Sequence, residues 1–360
     1  MHRLHSLLGF YLCLVLGFLC LSGTLTSIGH ELDWLSDPAL RVAPGERHAS
    51  WGEMAAAIHT AYPGWKIQRL SAPQGAWFAA EVRVLNPQGQ ARLIYVDPYR
   101  AVVTGERNRA TIHATLRQIH RQFYLPNFDG INIGVYLATP FGLVLLLLLI
   151  SGLIMQPRFW RGMLRLRLGQ GRAILFNDLH RLIAGWSLWF VAAIGLTATW
   201  YFAERALLDA GLPLEPEPVR AVTSGPAVPL DDGLRQAGIV WPDFRVMAIY
   251  PPRRSGEALR LDGQAGHWLV RDRANKVWLD PASGGVLRID RITDRALLYR
   301  WNETANPLHF GDFAGTASRL VWFVFGCGLT TLVFSGAWMY WRRLRQQRDL
   351  ARRRAARKAG

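Results

Sequence analysis

Four histidines stand in paired positions at the edges of long apolar runs, where imidazole could ligate haem iron. Leu4-His5 opens one run and is followed by Gly9, and Leu179-His180 opens another and is followed by Gly185. Ile119-His120 and Leu308-His309 each lie shortly before a further apolar run. Neutral imidazole is a good axial ligand, and a porphyrin suits the apolar interior of a helix bundle. Two histidines on different helices can clamp one iron from both faces. A clamp at each membrane face would hold two haems and give electrons a route across. An ionisable side chain at a membrane helix is costly and therefore a functional candidate. The plainer alternative is that histidines at helix ends simply sit among lipid headgroups.

Other residues fill out the set. Arg3, Arg121 and Arg181 stand beside or near the candidate ligands and could pair with haem propionates, or serve as interfacial anchors. Gly9, Gly17, Gly134, Gly142, Gly185, Gly326 and Gly328 leave room for a flat macrocycle or for close helix packing. His30, in Ile28-Gly29-His30-Glu31, has no histidine at its repeat position; it could replace His120, bind a third group or line the substrate side. His113 shares the helical face of His120 and is a weaker candidate.

These residues need a membrane to position them. Half of the 360 residues are hydrophobic, and the formal charge is +16. Four apolar segments are long enough for the roughly 30 Å hydrocarbon core: Leu7–Ile28, Ile131–Met155, Leu182–Phe202 and Leu320–Trp341. The first continues too far for a signal peptide core and is expected to be retained. The N-terminus, the loop 156–181 and the tail 342–360 carry 16 Lys/Arg against Asp178 and Asp349, while the two long segments are nearly balanced. Lys/Arg-rich short loops face the cytoplasm, so both chain ends are expected there, in a bacterial inner membrane. The Arg-rich tail is then an anchor beside anionic headgroups and no nucleic acid partner is expected. Cys13, Cys20 and Cys327 all fall in predicted spans, without a CxxC or CxxCH, which argues against a disulfide framework or c-type haem.

The chain repeats one plan: helix, outer module, helix. The first module opens with a predicted helix over Trp51–Tyr62, then strands at Trp65–Ser71, Trp77–Leu85 and Ala91–Val96, ended by Asp97-Pro98. The second offers a helix at Asp231–Ala237 and strands at Phe244–Tyr250, Ala258–Leu261, His267–Arg271 and Lys276–Leu279, ended by Asp280-Pro281. The expected organisation is helix 1–29, module 30–130, helix 131–155, basic loop 156–181, helix 182–202, module 203–319, helix 320–341 and basic tail 342–360. The predicted fold class is an α-helical membrane protein, a four-helix transmembrane bundle with two small α+β outer modules. Neither HExxH nor a Walker loop is present, and no span carries an acidic residue.

Several of these features resemble the PepSY-associated transmembrane helix family. They are Leu-His opening a membrane helix, modules ending in Asp-Pro, the element Pro307–Gly315, Ser335-Gly336 and the exit Tyr340-Trp341-Arg342. The resemblance covers essentially the whole chain and makes the outer modules PepSY-like and periplasmic. Members include inner-membrane ferrisiderophore reductases with b-type haems between their helices. It implies a two-haem conduit that reduces periplasmic Fe(III)–siderophore to Fe(II), with His5, His120, His180 and His309 at the ligand positions. Electrons from a cytoplasmic or membrane donor would enter near His5 and His180 and leave near His120 and His309. The outer tryptophans Trp34, Trp51, Trp65, Trp77, Trp241, Trp268, Trp278 and Trp301 could line a bowl for the chelate or fill module cores. The rivals are a non-enzymatic binding or regulatory protein and a carrier of siderophore or iron.

Overall fold

The computed structural model describes residues 2–359 except 157, 159, 161, 162, 165, 213 and 224, and, with the same exceptions, the side chains of 5–357. In chain order the first helices are α1 (His2–Tyr11), α2 (Cys13–Ser27), α3 (Gly29–Ser36), α4 (Trp51–Ala61), α5 (Ile112–Gln122) and α6 (Ile133–Ala138). They are followed by α7 (Phe141–Met155), α8 (Arg172–Trp186), α9 (Leu188–Asp209), α10 (Leu230–Val240), α11 (Leu297–Phe310) and α12 (Gly315–Ala359). The strands are β1 (Lys66–Ser71), β2 (Ala80–Leu85), β3 (Ala91–Val96), β4 (Val103–Arg107), β5 (Arg245–Tyr250), β6 (Leu259–Gln264), β7 (Asn275–Leu279) and β8 (Val286–Asp290). Two compact units result. One is Met1–Ile28, Leu116–Ala210 and Leu320–Gly360; the other is Gly29–Thr115 and Gly211–Arg319.

The first unit is the membrane unit, and it corrects the expected fold class. Among the described residues, two helices are long and apolar enough to cross a membrane alone, Ile133–Met155 and Gly315–Arg357. The other two candidates are broken: His5–Tyr11 meets Cys13–Ser27 at 71°, and Arg172–Trp186 meets Leu188–Asp209 at 65°. The described residues therefore offer two candidate spans, or up to four if each bent pair counts as one, and the unit is not a four-helix transmembrane bundle. The breaks fall at Leu12 (φ −96, ψ 0) and Ser187 (φ −89, ψ 3), whose backbones leave the helical region. Each lies the same number of residues beyond its histidine, His5 or His180, so the bend belongs to the repeat. A hydropathy window sums composition and is blind to such a turn, because neither break involves proline. Helix α12 also runs past the expected end at Trp341 to Ala359.

The outer unit overturns the second half of that expectation. Its strands form one eight-stranded antiparallel sheet in the order β4-β3-β2-β1-β5-β6-β7-β8, not two separate modules. The seam is the β1–β5 pair, with Leu70 opposite Ile249 and Ser71 opposite Ala248. Each half is a meander preceded by a helix, α4 or α10. Alternation along the strands sends Leu70, Val82, Val84, Ile94 and Val96 of one half, and Ile249, Leu261, Val277 and Leu279 of the other, into a single core with Met54, Ile58 and Ala237. The repeat extends to details. The Asp97 carboxylate accepts the N–H groups of Tyr99 and Arg100, at 2.8 and 3.3 Å. The Asp280 carboxylate accepts those of Ala282 and Ser283, at 2.9 and 3.2 Å. Both Asp-Pro corners are thus side-chain-closed turns. The Thr223 hydroxyl and backbone N–H groups hold the Asp280 carboxyl well below the ordinary carboxylate range.

The predicted strand His267–Arg271 is a turn, and the edge strands β4 and β8 were not foreseen. Both are short and send few residues to the core, Val103 from one and Val286 and Ile289 from the other, so alternation gives little signal.

The shared core makes a testable difference. Leu70 and Ile249 are 2 % and 0 % exposed and face each other across the seam. Either truncation to alanine is expected to cost about 2–4 kcal/mol. The double variant should depart from additivity by at least about 0.5 kcal/mol, because one cavity is shared. Hydrogen exchange of β2 and β6 amides in the full-length chain measures this, and strict additivity would speak for independent modules.

Candidate functional site

Three of the predicted histidines lie in the membrane unit, and each rests on a Ser-Gly pair. His5 of α1 places Nδ1 2.9 Å from the Ser151 hydroxyl on α7. His180 of α8 places Nδ1 2.9 Å from the Ser335 hydroxyl on α12. His120, near the end of α5, places Nδ1 3.2 Å from the Ser22 hydroxyl on α2. Every one of these serines also reaches the carbonyl three residues earlier on its own helix: Ser22 to Leu19 at 3.2 Å, Ser151 to Leu148 at 3.1 Å and Ser335 to Leu332 at 3.2 Å.

The glycine that follows keeps the helix surface open to the ring. A Cβ at Gly336 would lie 3.5 Å from His180 Cε1 and one at Gly152 3.6 Å from His5 Cε1, ordinary contact distances. At Gly23 it would lie 2.8 Å from His120 Cε1, so there even alanine must displace the ring. His5 and His180 lie within electrostatic reach of each other. The repeat thus brings this pair together, each ring on the Ser-Gly of a span. Burial pushes the His120 imidazolium down to about 4, so this ring is neutral at physiological pH.

The arginines are placed differently. Arg181 donates Nη2 to Asp178 at 2.6 Å, and Arg167 grips the same carboxylate with Nε and Nη2, both at 2.9 Å, and with its backbone N–H at 3.1 Å. Asp178 is wholly buried, so the guanidinium of Arg181, the residue after His180, is already engaged with an acid of its own helix. Arg121 is exposed, and the side chain of Arg3 lies outside the described residues.

The remaining candidates belong to the outer unit. His30 of α3 and His113 of α5 stack with ring centroids 3.9 Å apart and planes 19° from parallel. Gly29 permits this, since a Cβ there would lie 2.8 Å from His113 Nδ1. Asp33 accepts the N–H groups of Ile112 and His113, at 2.6 and 3.0 Å, and so starts α5. His309 stands edge-on to Phe310, centroids 5.3 Å apart. Among the tryptophans, Trp51, Trp65 and Trp241 pack against the core, Trp278 is buried, and Trp77 and Trp268 are exposed. Trp268 lines a cavity of about 210 Å³ with His267, Arg300, Thr293 and Thr304. That volume is below the range of ordinary ligand pockets and admits only a fragment of a bulky chelate.

From the sequence, Ser335-Gly336 is marked only as part of the family pattern and Asp178 only as a loop charge, and neither Ser151 nor Ser22 has a role as a partner of the histidines. A signal was available: Leu-x-x-Ser-Gly occurs at Leu19–Gly23, Leu148–Gly152 and Leu332–Gly336, once in each of three apolar segments.

Residues 2–343 match the family described as the PepSY-associated TM region. An uncharacterized protein of Pseudomonas aeruginosa is 26% identical over 242 residues, which is 58% of this chain and 59% of that protein. The chain therefore spans somewhat over half the length of this relative, whose name gives no activity. With the family pattern running from the first histidine helix through the last span, the chain is a membrane protein and belongs to the PepSY-associated TM family.

Proposed function

We propose that the chain is an inner-membrane electron conduit that binds two b-type haems and reduces Fe(III)–siderophore on the periplasmic side. The observation that carries this reading is the duplicated seat of His5 on Ser151-Gly152 and of His180 on Ser335-Gly336, within electrostatic reach of each other. The residues present suit the group: imidazole nitrogens, apolar helix surroundings and glycines beside each ring. His5 and His180 would hold one haem. His120 and His309 would hold the other, with His30 as the alternative to His120. When bound, haem iron supplies one-electron chemistry by alternating between Fe(II) and Fe(III).

The chain's own residues do the rest. Ser151 and Ser335 hold the rings, the apolar spans keep water from them, and Asp178 neutralises part of the arginine charge beside His180. The Lys/Arg surplus of the short segments orients both ends to the cytoplasm, where reducing equivalents arise. The outer unit then faces incoming ferric chelate. Hard oxygen donors hold Fe(III) more tightly than Fe(II), so one electron loosens the metal and leaves the organic ligand intact.

The test is spectral and then chemical. Purified full-length protein should show low-spin b-type bands at about two haems per chain. After dithionite reduction, ferric siderophore should reoxidise the bands and Fe(II) should be trapped by a ferrous chelator. A colourless protein would favour a binding or regulatory role. Uptake of labelled chelate into vesicles without reductant would favour a carrier.

A further inference from the structure

We propose that Ser22, Ser151 and Ser335 are positioning residues that fix His120, His5 and His180 in the Nδ1–H tautomer and so present Nε2 as the coordinating nitrogen. Its purpose rests on the haem reading above; the tautomer itself does not.

A serine hydroxyl has one proton and two lone pairs. In each case the hydroxyl lies within hydrogen-bond distance of two groups, a backbone carbonyl and an imidazole Nδ1. The carbonyl of Leu19, Leu148 or Leu332 can only accept, so it takes the hydroxyl proton. The oxygen then has only lone pairs to offer Nδ1, and Nδ1 must carry the proton. A neutral imidazole has one N–H, and its basic lone pair is therefore on Nε2. Free histidine in water favours the opposite form, so the protein has to impose this one.

The arrangement occurs three times with the same spacing, a leucine carbonyl three residues before the serine and a glycine directly after it. One occurrence could be incidental back-bonding of a membrane serine. Three, each aimed at a histidine from another helix, describe a built device. Thr197 holds the repeat position of Ser22 and donates in the same way, to the carbonyls of Ala193 at 2.7 Å and Ile194 at 3.2 Å. Donation from Nδ1–H also makes the ring a more basic ligand through Nε2.

Ring-nitrogen NMR of the full-length chain with ¹⁵N-labelled histidine reads the tautomer directly, with the reduced, diamagnetic form used where haem is bound. His5, His120 and His180 should be Nδ1–H in the wild type. Where no haem is bound, Ser335→Ala should turn His180 alone into a tautomer mixture, and Ser151→Ala should do the same to His5. Where haem is bound, iron on Nε2 keeps the proton on Nδ1, and loss of the serine should instead move the Nδ1–H proton signal of that ring upfield. Ser335→Thr, whose hydroxyl can make the same two contacts, should restore the wild-type signal and guards against a folding artefact. Wherever haem is bound, Ser335→Ala should raise the midpoint potential of one haem and leave the other unchanged. Nε2–H signals from His5 and His180 in the wild type, an unchanged His180 tautomer in haem-free Ser335→Ala, or, with haem bound, an unchanged Nδ1–H shift and midpoint potential in Ser335→Ala would overturn the proposal. Haem content, measured separately on the wild type, decides the haem reading on its own: a haem-free protein with the three Nδ1–H signals would end that reading and leave the tautomer assignment standing.

Discussion

His180→Ala should take the purified chain from about two haems to about one and block electron transfer from a donor enclosed with its cytoplasmic face. The expected loss in the rate of external ferric-chelate reduction is on the order of 100-fold or more, since a direct ligand matters at least as much as its supporting hydrogen bonds. His5→Ala should behave alike, because His5 has the same seat in the other half of the repeat. Reoxidation of the remaining, chemically reduced haem by external chelate should persist. The measurement is made in liposomes of known orientation, with Fe(II) trapped outside and haem counted by its reduced spectrum. Full haem content in both variants would remove His5 and His180 from the ligand set. Unchanged transfer despite a lost haem would mean that the two haems are not in series.

The outer half of the site offers a sharper contrast of the same kind. His120 packs against Gly23 in the membrane unit, whereas His30 and His113 stack on each other in the outer unit. If His120 is the ligand, His120→Ala loses a haem and His30→Ala does not. The reverse pattern assigns the position to His30.

The sequence made some layers of this molecule legible and hid others for identifiable reasons. Strand β3 and helix α4 were read almost to the residue. Their apolar positions have the right period and their ends carry strong signals, Asp97-Pro98 in one case and the Ser50–Glu53 capping box in the other. The joining of the two modules was hidden, because β1 and β5 pair through backbone groups that every residue carries. Patterning shows which face of Leu70 or Ile249 is buried but not which strand lies alongside. The bends at Leu12 and Ser187 were hidden for the opposite reason, since apolar composition there is continuous. At the site, the histidines stood out because they are rare and ionisable at the edge of apolar runs. Ser335-Gly336 was visible only as a family mark, and none of the three serines declared a histidine partner, because a hydroxyl in a membrane helix ordinarily satisfies itself on its own backbone. Only the position of a second helix shows that Ser151 and Ser335 have another partner.

Asp178→Ala is expected to destabilise the membrane unit although Asp178 is hydrogen-bonded to arginines and not to any of the candidate histidines. The Asp178 side chain is fully buried and accepts hydrogen bonds from two guanidinium groups and one backbone N–H. Removing it would leave Arg167 and Arg181 facing each other without their common anion. The Nε of Arg181 is already buried without a hydrogen-bond partner, so that side chain has little room to find compensation. The carboxylate is buried, but the Arg167 and Arg181 side chains are about a third exposed. Solvent therefore relieves part of the surviving charge, and the damage is smaller than for an ion pair buried on both sides. Asp178 is also two residues before His180 on α8, so relaxation of the two arginines should move the ring that Ser335 holds. The expected result is a fall in the yield of folded full-length protein from membranes and a lower melting temperature. His180 should lose its Nδ1 contact in the fraction that survives. Asp178→Asn keeps the shape and one acceptor and should fall between wild type and alanine. The triple change Asp178→Leu, Arg167→Met and Arg181→Met removes all three charges and should recover much of the lost stability. If Asp178→Ala melts with the wild type, the buried carboxylate does not pin the loop to α8. If the triple variant is as unstable as Asp178→Ala, uncompensated charge is not the cause of the damage.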